Sequence, residues 1–378
     1  MIEENYIMWL ARIDGISIRK KLEILEYFKT AKDFFYASIS EVRTFCEKNR
    51  INVKNILDVK NETIIEKYIN ELYKHNINFI CQNNKSYPTL LKNIPDAPLG
   101  LHIIGDMPDD TYNKVGLIGA RKCTQYGAMN AYKFGKELGQ NNVVVVSGMA
   151  LGIDSMAHKG ALDGNGKTIA VLGCGLDIVY PPSNKGLRDE IINNGCIISE
   201  YPIGTPPYPA NFPTRNRIIS GISDAILVVE SAKKSGTLIT VGQALEQGRD
   251  VFAIPGNINS VMSEGTNNLI KDCAFPVTNV DDILSNLGIL YKYSKDNNFI
   301  DNNNTDIYNI KEKSENTKNL LAPDEKIVYA CIKESPVTID EIILKANINI
   351  QTAQYILTML ELKGYIQKIA GQRYIRAL

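Results

Sequence analysis

The chain has 378 residues, 44% of them apolar, enough for two or three domains that each bury a real core. Its 42 Lys and Arg balance 42 Asp and Glu, so a polyanionic partner has to be met by a local basic patch and not by overall charge. No apolar stretch approaches the ~20 residues of a membrane helix, and the start Met1-Ile2-Glu3-Glu4-Asn5 lacks the basic, then apolar, opening of a secretory signal; a cytoplasmic protein with no membrane contact is expected.

Residues 1–80 read as a helical N-terminal domain, with few Gly or Pro and apolar residues three and four apart (Trp9, Leu10, Ile13, Ile16, Leu22, Leu25, Phe28). Leu10-x-x-Ile13-x-Gly15-Ile16-Ser17, followed by Arg19-Lys20-Lys21, is similar to the hairpin of a degenerate helix-hairpin-helix or SAM-like module. Ser17 stands where such hairpins carry a second glycine, so phosphate binding and a packing role both stay open. A connector punctuated by Pro88, Pro95 and Pro98 follows, from Tyr87 to Gly105.

Residues 81–287 read as an α/β domain. Five short apolar runs, 115–118, 143–146, 169–172, 225–229 and 251–254, each end at or near a glycine-bearing turn. Unalternating Val, Ile and Leu suit parallel strands buried on both faces, and helical-looking segments between them predict a doubly wound, mainly parallel sheet. All strand C-termini then lie on one edge, where the glycines leave room for ligand and helix N-termini attract anions.

The loops on that edge supply the candidate residues. Gly119-Ala120-Arg121-Lys122 follows the first run; two small residues admit a phosphate and Arg121 offers a fork for it, the alternative being a tight turn with a solvated Arg. Ser147-Gly148 ends the second run. Asp154 and His158 lie in the helix that follows, in structural roles, Asp154 as a cap. Ala161-x-x-x-x-Gly166-Lys167-Thr168 matches a relaxed P-loop, but Thr168 opens a strand where a P-loop opens a helix, so no ATP site is expected. Gly173-Cys174-Gly175-Leu176-Asp177-Ile178 begins like a dinucleotide fingerprint, yet Tyr180-Pro181-Pro182 stops any following helix, which argues against NAD and leaves no cofactor.

In Pro209 to Gly221, Thr214 can cap a helix whose first turn holds Arg215, Asn216 and Arg217. Cations there oppose the helix dipole unless an anion bridges them. Ion pairs with Glu200 or Glu230, expected at adjacent strand ends, are the alternative. Ser235-Gly236-Thr237 beside Lys233 and Lys234 reads as a second phosphate cradle. Tyr180, Tyr208 and Phe212 fall in the same loops, and aromatics beside phosphate donors suit stacking on the bases of a single strand. No Ser, Cys or Lys nucleophile comes with a base at motif spacing, so a binding protein and not an enzyme is expected.

Seven scattered cysteines (Cys46, Cys81, Cys123, Cys174, Cys196, Cys273, Cys331), odd in number and without Cys-x-x-Cys, predict free thiols and no zinc site. Residues 288–321, rich in Asn, Asp and Lys, read as a polar linker. Residues 322–378 read as a winged helix: helices at 324–333, 339–346 and 349–363, then strands at 365–369 and 373–375 around Gly371-Gln372. Its second long helix carries Gln351, Thr352, Gln354 and Lys363, polar more than basic, so DNA contact and protein contact both stay open.

The stretch from about Tyr87 to Leu284 resembles the DNA-processing protein A family (DprA, also called Smf). The matching residues are Gly119-Ala120-Arg121, 147–154, 173–177 with Tyr180-Pro181, 199–202, 211–221, 235–240, 251–257 and 265–270. The resemblance implies an extended Rossmann-like domain that binds single-stranded DNA and forms a homodimer. It further implies protection of incoming DNA in natural transformation and loading of a RecA-type recombinase, with no reaction catalysed. Gly119, Arg121, Arg215 and Arg217 carry over as DNA-site positions, with Lys233 and Lys234 beside them. Departures are Asp272-Cys273-Ala274 where the family has Asp-Gly-Ala, near the expected dimer turn, Ala120 for the commoner Ser, and Leu151 for a frequent Arg. The alternative is a nucleotide-processing hydrolase similar to the lysine-decarboxylase-like phosphoribohydrolases. Those carry a glutamate just past the Gly-Thr turn, where this chain has Thr240, which would leave Glu230 as the acid/base group.

Overall fold

The structure, a computed structural model, describes residues 1–272, 274–288, 323–332, 337–346, 348, 350–363, 365–369 and 373–376. Cys273, the linker beyond Gly288, and Gly371-Gln372 of the expected wing lie outside the described residues. The chain forms two compact units, residues 1–294 and 295–378.

The first unit opens with six helices: α1 (Glu3–Arg12), α2 (Ile18–Phe28), α3 (Ala31–Tyr36), α4 (Ile39–Lys48), α5 (Val53–Leu57) and α6 (Glu62–Lys74). Their starts are written in the sequence: the side chains of Ser17, Thr30, Ser38, Asn52 and Asn61 each accept a first-turn N–H. Their inward faces bury Trp9, Leu10, Phe34 and Ile65, with Trp9 and Phe35 edge to face at 5.0 Å. This core runs on without a break into Ile197 of the following sheet and into Met149 and Leu172 just beyond the ends of two of its strands. Tyr68 clamps the junction. Its hydroxyl meets His102 Nε2 at 2.8 Å and accepts from the Ile203 N–H, while the Arg12 guanidinium lies 3.4 Å over its ring.

The rest of the unit alternates strand and helix: β1 (Asn78–Cys81), α7 (Thr89–Lys92), β2 (Gly100–Gly105), β3 (Lys114–Ile118), α8 (Gln125–Gln140), β4 (Val144–Ser147), α9 (Ile153–Asp163), β5 (Thr168–Val171), α10 (Lys185–Asn193), β6 (Gly195–Ser199), α11 (Asn211–Ile222), β7 (Ala225–Val228), α12 (Gly236–Glu246), β8 (Asp250–Ala253), α13 (Glu264–Lys271), β9 (Phe275–Pro276) and α14 (Asp281–Asn286). They make one sheet in the order β1-β2-β6-β5-β4-β3-β7-β8-β9. Strands β3 to β9 pair in parallel, and β1 and β2 close one side antiparallel. The five apolar runs are β3, β4, β5, β7 and β8. Alternate residues feed opposite cores: Val144 and Val146 pack on one face and Val145 on the other. The doubly wound, mainly parallel architecture expected from the sequence is therefore the one observed.

Two local expectations are corrected. The proline-punctuated connector contains α7 and β2, because residues 102–105 find an antiparallel partner in β6. The ends of β6 and β7, bearing Glu200 and Glu230, are not adjacent, since β5, β4 and β3 stand between them. Among the described cysteines, Cys46, Cys81, Cys174 and Cys196 are buried free thiols. No helix among the described residues is long and apolar enough to cross a membrane.

The second unit contains α15 (Pro323–Cys331), β10 (Val337–Thr338), α16 (Ile339–Ala346), α17 (Ile350–Leu362), β11 (Ile366–Ile369) and β12 (Arg373–Arg376). Its strands form a sheet in the order β10-β12-β11, with Val328, Ile342, Leu357 and Leu360 at its core. That is the winged helix predicted from the sequence, with one strand added by Val337-Thr338.

Candidate nucleic-acid interface

From β3 the chain winds one way through β4, β5 and β6, and later the other way through β7, β8 and β9. At such a reversal the loops beyond neighbouring strands part and leave a crevice. A cavity of about 390 Å³ opens there. Gly119, Ala120 and Arg121 enter it from β3, Ser235, Gly236 and Thr237 from the start of α12, and Phe212, Arg215 and Asn216 from α11; Tyr180 completes the wall. A narrower slot of about 120 Å³ shares Arg121, Tyr180 and Phe212 and adds Gly148, Leu172 and Cys174.

Arg121 is exposed, and its guanidinium lies 4.9 Å from the Phe212 ring centroid. Tyr180 stands 5.6 Å from Phe212 with the rings inclined by 38°. Cation and aromatic wall are thus one stacked surface, of the kind that takes a base on its face and a phosphate at its edge. Gly173 permits it: a Cβ there would press on the Phe212 ring at 3.1 Å.

Arg215 lies beneath, 3% exposed. Its Nη1 donates to the carbonyl oxygens of Gly148, at 2.9 Å, and Val171, the ends of β4 and β5. Gly148 makes this possible, since a Cβ there would overlap the guanidinium. Burial pulls the Arg215 pKa below its ordinary value, and nearby Asp154 opposes that shift.

The eleven-residue α12 opens on the same cavity. Ser235 caps it: its Oγ accepts from the Thr237 N–H at 3.1 Å and donates to Thr237 Oγ1 at 3.0 Å. The Ser235 hydroxyl is therefore spent on the cap and the Thr237 N–H with it, and the anion-attracting features left are the Gly236 N–H, the Thr237 hydroxyl hydrogen and the helix dipole.

Other predicted site residues do not join this group. Ser147 is fully buried and its Oγ donates to the Leu117 carbonyl at 2.7 Å. Arg217 points to the far side of α11, with Nη2 on both Glu200 carboxylate oxygens at 2.8 Å and Nε on Asp96 at 3.0 Å. Lys122, Lys233, Lys234 and Tyr208 are exposed and lie outside the cavity lining. Of the hairpin triplet, Arg19 is exposed and the two lysines are engaged. Lys21 is buried with its Nζ on the Ala11 carbonyl, and Lys20 pairs with Glu23.

The helix start expected at Thr214 is corrected. Helix α11 begins at Asn211 with Ala210 as its cap, and Thr214 Oγ1 bonds back to the Ala210 carbonyl. Both arginines thus sit beyond the first turn, and residues two apart on a helix face nearly opposite ways. The cap expected of Asp154 is corrected too. Helix α9 is entered through Gly152, and Asp154 Oδ2 reaches back to the N–H groups of Gly148 at 3.1 Å and Ala150 at 3.4 Å. His158 is sealed in the core with Nδ1 on Thr168 Oγ1, as a structural residue.

The sequence reading gave Asp154 only a structural role and missed it as a cavity residue, although it closes the matching stretch 147–154. Glu230 lies elsewhere, buried under α8, where it accepts from the Thr124 N–H at 2.9 Å and its hydroxyl at 2.5 Å. Thr240 lines the cavity at the position where a hydrolase would need its acid.

A family model described as DNA recombination-mediator protein A matches residues 78–288, and one for the DprA winged helix domain matches residues 312–372. Protein Smf of Synechocystis sp. (strain ATCC 27184 / PCC 6803 / Kazusa) is 31% identical over 400 residues, covering 100% of both chains. The X-ray structure of DNA processing protein A from Streptococcus pneumoniae superposes with a TM-score of 0.65 at 35% identity, covering 74% of this chain and 97% of that one. DNA processing protein A from Helicobacter pylori, a structure described for its unique single-stranded DNA binding mode, gives a TM-score of 0.50 at 31% identity, covering 55% of this chain and 95% of that one.

Proposed function

Because the chain belongs to the DprA/Smf family of DNA-processing proteins, we propose that its sheet-edge cavity binds single-stranded DNA, shields it and delivers it to a RecA-type recombinase. One observation carries the reading: Arg121, set over Phe212, whose ring meets Tyr180, shares a cavity with the N-terminus of an eleven-residue helix. A base lies on the aromatic wall while its phosphate meets Arg121, the Gly236 N–H and the Thr237 hydroxyl. Arg215 supports the loop from below. The likeness to the Helicobacter pylori protein agrees with this ligand.

Fluorescence anisotropy with a labelled oligonucleotide across a salt series tests the site. Binding weakens steeply with salt as counterions are released, and Arg121→Glu loses about 1–3 kcal/mol. A folded Arg121→Glu protein with undiminished affinity would remove the cavity from the reading.

The protein works as a homodimer joined through the Rossmann-like domain. Ile258, Val261 and Phe275 are exposed apolar side chains in the segment between β8 and the end of β9, where the sheet has a free edge. Sedimentation at two concentrations checks the dimer, and transfer of the labelled strand to an added RecA-type recombinase checks delivery.

A further inference from the structure

We infer that Asp154 is a counter-charge that holds the cavity's grip on single-stranded DNA below what its cations could deliver, an inference that rests on the single-strand reading above. A buried carboxylate in a cavity for a polyanion works against the ligand. Asp154 is such a group, in the same cavity as Arg121 and Arg215. Gly152, not Asp154, caps α9, in whose first turn Asp154 lies.

What the fold takes from Asp154 is an acceptor. Oδ2 holds the N–H groups of Gly148 and Ala150, and this fixes the turn whose Gly148 carbonyl receives Arg215. An asparagine amide oxygen can accept the same two bonds, so the acceptor role does not need the charge. The charge acts on Arg215 and on whatever enters the cavity. Both groups are buried, so water screens their field poorly and it reaches across the cavity. Burial raises the Asp154 pKa above the usual carboxylate value, and the Arg215 charge is the strongest pull back toward the carboxylate. His158, below them, stays neutral and adds no charge. With Asp154 ionised, it and Arg215 together present phosphate with little net charge, and the attraction is left to exposed Arg121 and the start of α12. A protein that hands its strand onward benefits from such a limit.

The test is Asp154→Asn in the full chain. Affinity for a labelled oligonucleotide rises on the order of tenfold, the effect of one unit charge across a poorly screened gap. The slope of log K against log salt steepens by about 0.7, one more phosphate-equivalent neutralised on a single strand. A purely structural Asp154 would leave that slope unchanged and weaken binding, and either result in a folded variant overturns the inference. Should Asp154→Asn not fold, the double variant Asp154→Asn/Arg215→Gln replaces the pair with neutral groups. It keeps the wild-type slope if the pair is electrically silent, and a flatter slope overturns the inference. Failure of the wild-type chain to bind the oligonucleotide would instead remove the proposed function itself.

Discussion

Two histidines tie the stability of this fold to pH. His158 is buried against Thr168 and its pKa is pulled down by burial to about 3; His102, against the Tyr68 hydroxyl, is pulled to about 4 for the same reason. Both fold neutral, while in the unfolded chain they titrate near 6.5. Below that value the unfolded state binds more protons than the folded one. Stability is therefore full above pH 6.5 and falls as the pH drops toward the folded values. Each histidine contributes a loss of about 1.4 kcal/mol per pH unit inside that window. Urea unfolding at pH 7, 6 and 5 measures the slope. His158→Gln should flatten it by one histidine's share, and an unchanged slope would mean that His158 is protonated in the fold.

At the scale of elements, the turn after β4 and helix α11 depend on each other. A methyl group at Gly148 would overlap the Arg215 guanidinium, which is itself pinned to two strand ends. Gly148→Ala is expected to cost about 1–3 kcal/mol through overpacking and to shift the urea midpoint accordingly. A midpoint at the wild-type value would show that Arg215 can leave without penalty. The same elements mark how far the sequence could be read. Arg121, Phe212 and Gly236 were legible because each lies where a strand ends or a helix begins, and local chemistry decides their surroundings. For Arg217 the ion pair with Glu200 was the alternative reading and is the one observed, whereas its second partner Asp96 and the Leu117 partner of Ser147 come from remote segments with no local signal. The two-residue spacing of Arg215 and Arg217 did hold a usable signal: inside one helix they cannot face the same anion. Strand β2 escaped notice because its partner β6 and the three connector prolines give no local pattern of their own.

For the molecule as a whole, the five buried strands made the sheet readable, since nothing but a two-sided core explains unalternating runs such as Val143-Val144-Val145-Val146. What no local pattern disclosed is that the core of the six helices is continuous with the sheet. Leu172 and Cys174 line the slot beside Tyr180 and Phe212, and they belong to the same packed cluster as Trp9 and Phe34. The inner wall of the slot is thus also the outer layer of the helical core. A rigid occupant of the slot then damps the breathing of helices it never touches. Amide hydrogen exchange reads this directly: a bound oligonucleotide should slow exchange in α1 and α3, and rates that ignore the ligand would mean the shared wall transmits nothing.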